Sequence, residues 1–247
     1  MKKILFVALA MAMFAGNANA LENEPEEGFT YMGLFGLNVS KLQNDRILDK
    51  AKAGAMMGAR VDYVLPNAHG TYLTAGLDWT MKGGKTPVVV DVNSEFYDAT
   101  FKRPLHYFEV PIRIGFRYNA MENLGFYGEV GPYFAIGIGG KHKCSIDGDG
   151  EAIRDREDEL TYKAFKNYDY SPANPKYPFQ RWDAGIGFRI GVEYNQHYNL
   201  MFGCDWGLAD LYRVNLRDDY KDNPLNLGDT LPKVHNFNFS ITFGYRF

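Results

Sequence analysis

The last twelve residues of the chain read NFNFSITFGYRF (236–247). From Phe237 onward every second residue is apolar, and the residues between them are polar or small. Alternation with a period of two predicts a β-strand with one apolar and one polar face. In a water-soluble protein such a strand would be a sticky edge, so its aromatic face must meet another solvent or another strand.

The other end of the chain predicts export. The segment MKKILFVALAMAMFAGNANA (1–20) has two lysines, an uncharged apolar run and a small-residue ending, which is typical of a signal peptide cleaved after Ala20. Its apolar run is too short for a membrane-spanning helix, which needs about 20 residues. We therefore predict a signal peptide at 1–20, a short N-terminal periplasmic segment at 21–28 and one domain at 29–247.

Composition narrows the class of protein. The formal net charge is −3, and loss of Lys2 and Lys3 with the signal gives −3 − 2 = −5, so nothing indicates nucleic-acid binding. Two cysteines, Cys144 and Cys204, make no disulfide framework and are predicted to be free thiols. The chain has 17 Tyr, 18 Phe and 26 Gly and lacks a long apolar run after residue 20, which is typical of an exported transmembrane β-barrel.

Alternation recurs along the whole domain and predicts eight strands. They lie at 29–40, 54–64, 71–81, 106–119, 124–138, 181–194, 200–210 and 235–247. Long connections (41–53, 82–105, 139–180 and 211–234) alternate with short ones (65–70, 120–123 and 195–199), as in an outer-membrane barrel. A soluble lipocalin-type barrel is the alternative, but it would turn its large aromatic residues inward. We predict an all-β, eight-stranded antiparallel up-and-down transmembrane β-barrel with short periplasmic turns and long extracellular loops.

The polar parity of these strands predicts a charged interior. It collects five positive and seven negative side chains: Arg60, Asp62, Asp78, Glu109, Arg113, Arg117, Glu129, Asp183, Arg189, Glu193, Asp205 and Arg246. Buried charges must be paired, and eight strands enclose only enough room for side chains. The prediction is a plugged barrel, with a narrow proton or solute path as the alternative.

Five stretches resemble a known family: GLFGLNVS (33–40), YFEVPIRIGFRY (107–118), GFYGEVGPYFAIGIGG (125–140), DAGIGFRIGVEY (183–194) and FNFSITFGYRF (237–247). With them the chain resembles the small outer-membrane β-barrel proteins of Bacteroidetes-type bacteria, called "porin family" or "outer membrane protein beta-barrel domain", which include PorT-like proteins. The resemblance implies the architecture and an outer-membrane location, but it specifies no activity. The ending with Phe243, Tyr245 and Phe247 also resembles the signal recognised by the β-barrel assembly machinery.

Two groups of residues could support chemistry. Asp147, Asp149 and Glu151 have the 1-3-5 spacing of a calcium loop, but the pattern fails at Ala152 and Asp158, so they are a weak metal candidate in an acidic loop. Eight-stranded barrels also include lipid-modifying hydrolases and acyltransferases with Ser, His and acid groups at the outer rim.

Here the rim offers His106, with Ser94, Glu95 and Asp98 before it, and His235. No known lipase motif is present, so we predict no catalytic residues and no cofactor.

The predicted function is therefore a non-enzymatic outer-membrane protein that is structural or binds partners through its loops. The loop segment KAFKNYDYSPANPKYPFQRW (163–182) interleaves tyrosines with polar residues, which suits contact with an extracellular protein or glycan as well as packing between loops. Other expected partners are outer-membrane lipid and, during biogenesis, the assembly machinery. The alternatives are a lipid-modifying enzyme and a narrow channel or PorT-like secretion accessory.

Overall fold

The computed structural model describes residues 27–44, 49–166, 168, 176, 178–212 and 233–247. The predicted signal peptide, most of the segment 21–28 and part of the tyrosine-rich segment 163–182 lie outside these residues. The strands are β1 (Gly28–Asn44), β2 (Lys52–Val64), β3 (Thr71–Val92), β4 (Glu95–Met121), β5 (Leu124–Ile146), β6 (Tyr162–Lys163), β7 (Trp182–Tyr194), β8 (Tyr198–Gly207) and β9 (Val234–Arg246). One helix, α1 (Glu151–Leu160), lies between β5 and β6. In the described part of the chain, no helix is long and apolar enough to cross a membrane.

Eight of these strands close into a ring. β1 to β5 pair in chain order, β5 pairs with β7, and β7, β8 and β9 follow until β9 pairs with β1. Every pairing is antiparallel, and the two-residue β6 pairs with β5 outside the ring. The predicted eight-stranded up-and-down barrel is confirmed. Phe35 of β1 lies opposite Phe243 of β9, so the final strand has no bare edge.

The outward face of the barrel is apolar, as the alternation predicts. Tyr31, Phe35 and Leu37 on β1 are 57 %, 62 % and 71 % exposed, and Ile241 on β9 is 54 % exposed. Their sequence neighbours point inward and are buried or partly buried, because side chains alternate between the two faces of a strand. Three short connections, at 65–70, 122–123 and 195–197, define the turn end of the barrel, and the opposite end is the loop end.

The prediction of a long loop at 82–105 is wrong. β3 runs on to Val92 and β4 begins at Glu95, so the two strands form a hairpin that extends beyond the barrel at the loop end. The β-branched run Val88–Val90 favours continued strand, and Asn93 and Ser94 form a two-residue turn with φ of 54° and 69°. Together with residues 139–146 of β5, the hairpin residues 82–105 make a three-stranded extension that we call the arm.

The predicted irregular loop at 139–180 also contains regular structure. β5 continues to Ile146, and α1 then lies against the inner face of the arm. Ile153 of α1 is buried in an apolar cluster with Val90, Val92 and Ile146. The acidic residues of α1 are exposed except Glu157, which is partly buried and accepts a hydrogen bond of 2.5 Å from the backbone N–H of Ile146. The high content of acidic residues explains why the sequence predicted a solvated loop.

Candidate functional site

The charged residues of the barrel interior form layers along the barrel axis. The layer nearest the turn end contains Arg117, Arg246, Asp62 and Glu193. Arg117 lies 3.4 Å from Asp62 and 3.7 Å from Glu193. Arg246 lies 3.2 Å from Asp62 and also pairs with Glu193. Each guanidinium therefore bridges the same two carboxylates, and the layer is a closed ring of four charges.

The middle layer joins three arginines to three carboxylates. Arg189 binds Asp205 through two parallel hydrogen bonds of 2.7 and 2.9 Å, the strong bidentate geometry of this pair. Arg60 lies 3.3 Å from Glu129 and 3.5 Å from Asp78. The third arginine connects the two halves of the layer.

That connecting residue is Arg113, which lies 3.9 Å from both Glu129 and Asp205. The hydroxyl of Tyr72 donates a further hydrogen bond of 2.9 Å to Glu129. Glu129 and Asp205 each lie near two arginines, so the ion pairs of this layer form one connected chain. The chain joins residues from β2, β4 and β7 across the barrel.

The layer nearest the loop end is built around a lysine that the sequence pattern missed. Lys82 is fully buried, with its Nζ 2.6 Å from Glu109 and 3.9 Å from Asp183. The same ammonium lies 4.2 Å from the centre of the Tyr133 ring, and Asn236 donates a hydrogen bond of 2.7 Å to Asp183. Lys82 fell in the predicted loop at 82–105, although it continues the inward parity of the third strand.

We call the thirteen charged residues of these layers the charge network. All twelve residues predicted for the interior are in it, and each is at most 5 % exposed. With Lys82 the network has six cations and seven carboxylates. The inward parity of the strands, read from the sequence, thus identified every member that lies within a predicted strand.

An apolar cluster lies over the charge network at the loop end. Phe165, Phe179, Leu211 and Tyr212, which we call the cap, come from the connections between strands and are buried. The Phe165 ring meets Tyr107 of the barrel wall at 5.7 Å, and Phe179 meets Tyr212 at 5.4 Å.

Backbone hydrogen bonds hold the cap in place. The Phe179 N–H donates to the carbonyl of Ala164 over 2.7 Å, and Leu211 N–H donates to Val234 over 2.8 Å. No periodic pattern surrounds these residues, so the sequence offered no signal for them beyond their aromaticity.

His142 lies beside the cap, on the arm. Its ring stacks on Tyr162 at 4.6 Å and meets Phe179 at 4.8 Å, and its Nδ1 accepts a hydrogen bond of 3.2 Å from Arg103. Burial and the positive charge of Arg103 hold the pKa of His142 well below its usual range. The imidazole is therefore neutral in the folded protein.

The residues considered for hydrolysis do not meet. Ser94 lies in the turn at the tip of the arm, twelve residues from His106 along β4, whereas His106 stacks on Trp79 at the barrel wall. The Nδ1 atom of His235 is 2.9 Å from the backbone carbonyl of Ala209. A nucleophile and its base need contact at hydrogen-bond distance, which Ser94 and His106 lack.

The weak metal candidate is also not assembled. Asp147 and Asp149 lie in the bend after β5, while Glu151 begins α1. Across the described residues, no three His, Cys, Asp or Glu side chains converge on a point that could hold a metal ion. Cys144 and Cys204 are both free thiols, and burial raises the pKa of Cys144 to about 11.

The aromatic residues of the predicted assembly signal lie on the outward face of β9. Phe243 and Tyr245 are 39 % and 38 % exposed, and the terminal Phe247 is 77 % exposed. The backbone N–H of Phe247 donates a hydrogen bond of 2.9 Å to Tyr31 of β1. The side chains are thus available at the outer surface while the backbone closes the barrel.

Comparisons with known proteins agree with this architecture. The sequence profile of the family described as "Outer membrane protein beta-barrel domain" matches residues 17–213. No curated protein sequence matches the chain.

Solved structures similar to the chain include three small outer-membrane or surface proteins. The attachment invasion locus protein Ail of Yersinia pestis is 15 % identical, with 90 % of this chain and 100 % of that chain covered and a TM-score of 0.40. Neisserial surface protein A is 11 % identical, with 90 % and 100 % covered and a TM-score of 0.42. The outer membrane protein OprG of Pseudomonas aeruginosa is 12 % identical, with 91 % and 98 % covered and a TM-score of 0.42.

Proposed function

The chain belongs to the outer membrane protein beta-barrel domain family, and from this premise we propose that it is a non-enzymatic membrane protein whose barrel is closed to solutes. The loop end, with the arm and the cap, then faces the outside of the cell, and the three short turns face the periplasm. The charge network is the observation that carries the proposal.

The interior contacts support closure in two ways. Thirteen charged side chains, each at most 5 % exposed, occupy a barrel of eight strands, which has room for side chains and little else. Ion pairing offsets part of the desolvation cost of these buried charges, which allows the interior to stay filled with charged side chains. A permeating solute would have to break these ion pairs layer by layer.

The cap supports the same proposal at the extracellular mouth. Phe165 and Phe179 are 5 % and 1 % exposed and lie between the charge network and the outside. An apolar cluster at this position excludes water from the mouth, in the way that apolar constrictions close pores.

A solute-flux measurement tests the proposal. Proteoliposomes with the purified protein should swell in small sugars no faster than protein-free liposomes, whereas a 16-stranded porin in parallel gives rapid swelling. Swelling by the wild-type protein that falls with increasing sugar size would contradict closure.

A second role, partner binding, is favoured by the tip of the arm. Phe96 is 77 % exposed and Val89 is 64 % exposed, on a hairpin that extends beyond the membrane-facing wall. Large exposed apolar side chains outside the membrane are typical of a contact surface for another molecule. We propose that the arm contacts an extracellular protein or glycan.

The arm can be altered without touching the barrel. Replacement of Phe96 and Val89 by serine should leave membrane insertion unchanged and reduce binding of the protein in nanodiscs to a glycan array or to an array of extracellular proteins. If the double variant binds every partner of the wild type equally well, the tip is not the contact surface.

A further inference from the structure

A row of lysines crosses the outward surface of the arm just above the lipid-facing wall. Lys50 lies opposite Lys85, Lys85 opposite Lys102, and Lys102 opposite Lys143 in consecutive antiparallel pairings. On the next strand pair Lys141 lies opposite Lys163. Residues directly opposite each other project from the same face of a sheet. We call these six lysines the basic belt.

The lysines of the basic belt have no carboxylate partner among the described residues. In the described part of the chain, none of its six lysines forms an ion pair with an acidic side chain. Like charges directly opposite each other destabilise a sheet. The arrangement therefore costs stability in the isolated protein and gains it when an anion lies across the row.

A cavity of about 680 Å³ opens at one end of the basic belt. Its basic lining is Lys141, Lys143, Lys163, Lys166 and Arg181. Five positive groups around one cavity can neutralise more than one phosphate, and the volume falls in the range of about 300–1,000 Å³ typical of ligand pockets.

The cavity has a local structural cause. The N–H of Gly137 donates to the carbonyl of Arg181 over 2.7 Å, and the carbonyl of Gly140 accepts from the N–H of Ala164 over 3.0 Å. On the side that faces β7 and β6, β5 therefore lacks a backbone partner only at Ile138 and Gly139 among the described residues. Gly139 lies in this gap, lines the cavity and has no side chain to fill it. A Cβ atom added at Gly139 would meet no atom within 4 Å.

The position of the cavity indicates a lipid rather than a soluble anion. Ile138 forms part of its lining and is 44 % exposed on the same outward stripe as Phe134 and Ile136. Lys141 lies only three residues further on, about 10 Å along a strand. Apolar chains can therefore lie against the stripe while their headgroup reaches the basic side chains.

We propose that this cavity binds the phosphorylated headgroup of an outer-leaflet glycolipid of the lipid A type. The phosphates lie among Lys141, Lys143 and Lys163, and the acyl chains lie along Ile138 and Phe134. Arg181 is held toward the cavity by its hydrogen bond of 2.7 Å to the carbonyl of Gly137. This inference does not depend on whether the barrel interior is closed.

Native mass spectrometry of the full protein in detergent can measure retention of diphosphorylated, monophosphorylated and dephosphorylated lipid A. The wild type should retain the diphosphorylated lipid, retain the monophosphorylated lipid less, and release the dephosphorylated one. Inorganic phosphate should not displace the lipid, because the apolar stripe contributes to binding. Equal retention of all three lipids, or full displacement by inorganic phosphate, would overturn the proposal.

Two variants separate charge from shape. K141Q/K143Q/K163Q removes charge from the cavity, and G139L fills it while all the charges stay; each should weaken lipid binding at least tenfold. K41Q/K233Q, which removes two exposed lysines at the same end of the barrel on β1 and beside β9, is the control for loss of positive charge away from the cavity and should bind like the wild type.

Circular dichroism and heat-shifted mobility on gels establish that each variant is folded. If either site variant is folded and binds the diphosphorylated lipid as tightly as the wild type, the cavity is not the lipid-binding site. Equal weakening by the control variant would also overturn it, since binding would then follow overall charge.

Discussion

At the scale of single residues, the interior is organised by pairing. Arg189 and Asp205 form a bidentate pair, and Arg113 lies 3.9 Å from each of two carboxylates, Glu129 and Asp205. Inward parity could be predicted from the sequence for every member of the charge network that lies in a predicted strand. Lys82 could not be, because the predicted third strand ends at residue 81 and the continuation of β3 was assigned to a loop.

Lys82 is the most informative position for testing the charge network. K82M should lower the free energy of unfolding by about 3–5 kcal/mol, because Glu109 and Asp183 lose the cation between them. Adding E109L should restore part of this loss, since an apolar replacement of a buried pair is close to neutral. Urea unfolding followed by tryptophan fluorescence gives the measurement.

The exposed residue Lys143 provides the control for this prediction. K143M should change stability by no more than about 0.5 kcal/mol, as surface substitutions do. If K82M unfolds at the same urea concentration as K143M, Lys82 does not hold the outer layer together.

The buried His142 should make the stability of the cap depend on pH. Since burial lowers its folded-state pKa, only the unfolded state takes up a proton as pH falls below about 6.5. Stability of the cap is therefore fully present above that pH and is lost below it, by about 1.4 kcal/mol per pH unit at most.

Hydrogen exchange at the amides of Ala164 and Phe179, measured from pH 7.5 to pH 5, follows this loss. H142Q keeps an acceptor for Arg103 but does not titrate. Its amide protection, corrected for the intrinsic pH dependence of exchange, should therefore vary less with pH than that of the wild type. The same pH dependence in H142Q and the wild type would exclude His142 as the cause.

At the scale of elements, the strands followed the sequence pattern and the connections did not. The number, order and outward faces of the ring strands could be predicted, because each strand has one apolar face toward lipid and one polar face toward the barrel interior. The arm and α1 could not, because both faces of the arm mix apolar and charged residues. Val90 and Ile153 are buried against each other, yet their neighbours Asp91 and Arg154 are exposed.

The last strand carries a prediction about assembly. In the folded barrel, deletion of Phe247 removes one hydrogen bond to Tyr31 and one side chain that is exposed. Because these losses are small, the deletion variant should refold into vesicles nearly as well as the wild type. In cells it should insert much less than F188A, a lipid-facing change far from the terminus, because we propose that the ending is read by the assembly machinery.

The outer-membrane fraction of each variant, assayed by heat-shifted mobility, gives the comparison. Equal insertion of the deletion and F188A in cells would remove the assembly role of the ending. Poor refolding of the deletion in vesicles would instead assign Phe247 to barrel stability.

At the scale of the whole molecule, three regions serve different environments. The outward aromatic face meets lipid, the charge network lies in the interior, and we propose that the arm, α1 and the cap lie outside the membrane. The sequence predicted the first two from one alternation, because in a barrel the apolar and polar faces of each strand are the outside and the inside. The cap could not be predicted, because Phe179 and Tyr212 are joined only by the folded loops.

The central claim is that the charge network and the cap close an outer-membrane barrel, and single-channel recording in planar bilayers tests it most directly. Ions are smaller than the sugars of a swelling assay, so the recording also detects a narrow path along the charged side chains. Closure predicts that the inserted wild-type protein, with insertion verified by heat-shifted mobility, gives no discrete openings. Reproducible openings of uniform conductance, present with the wild type and lost when the protein is unfolded, would contradict it.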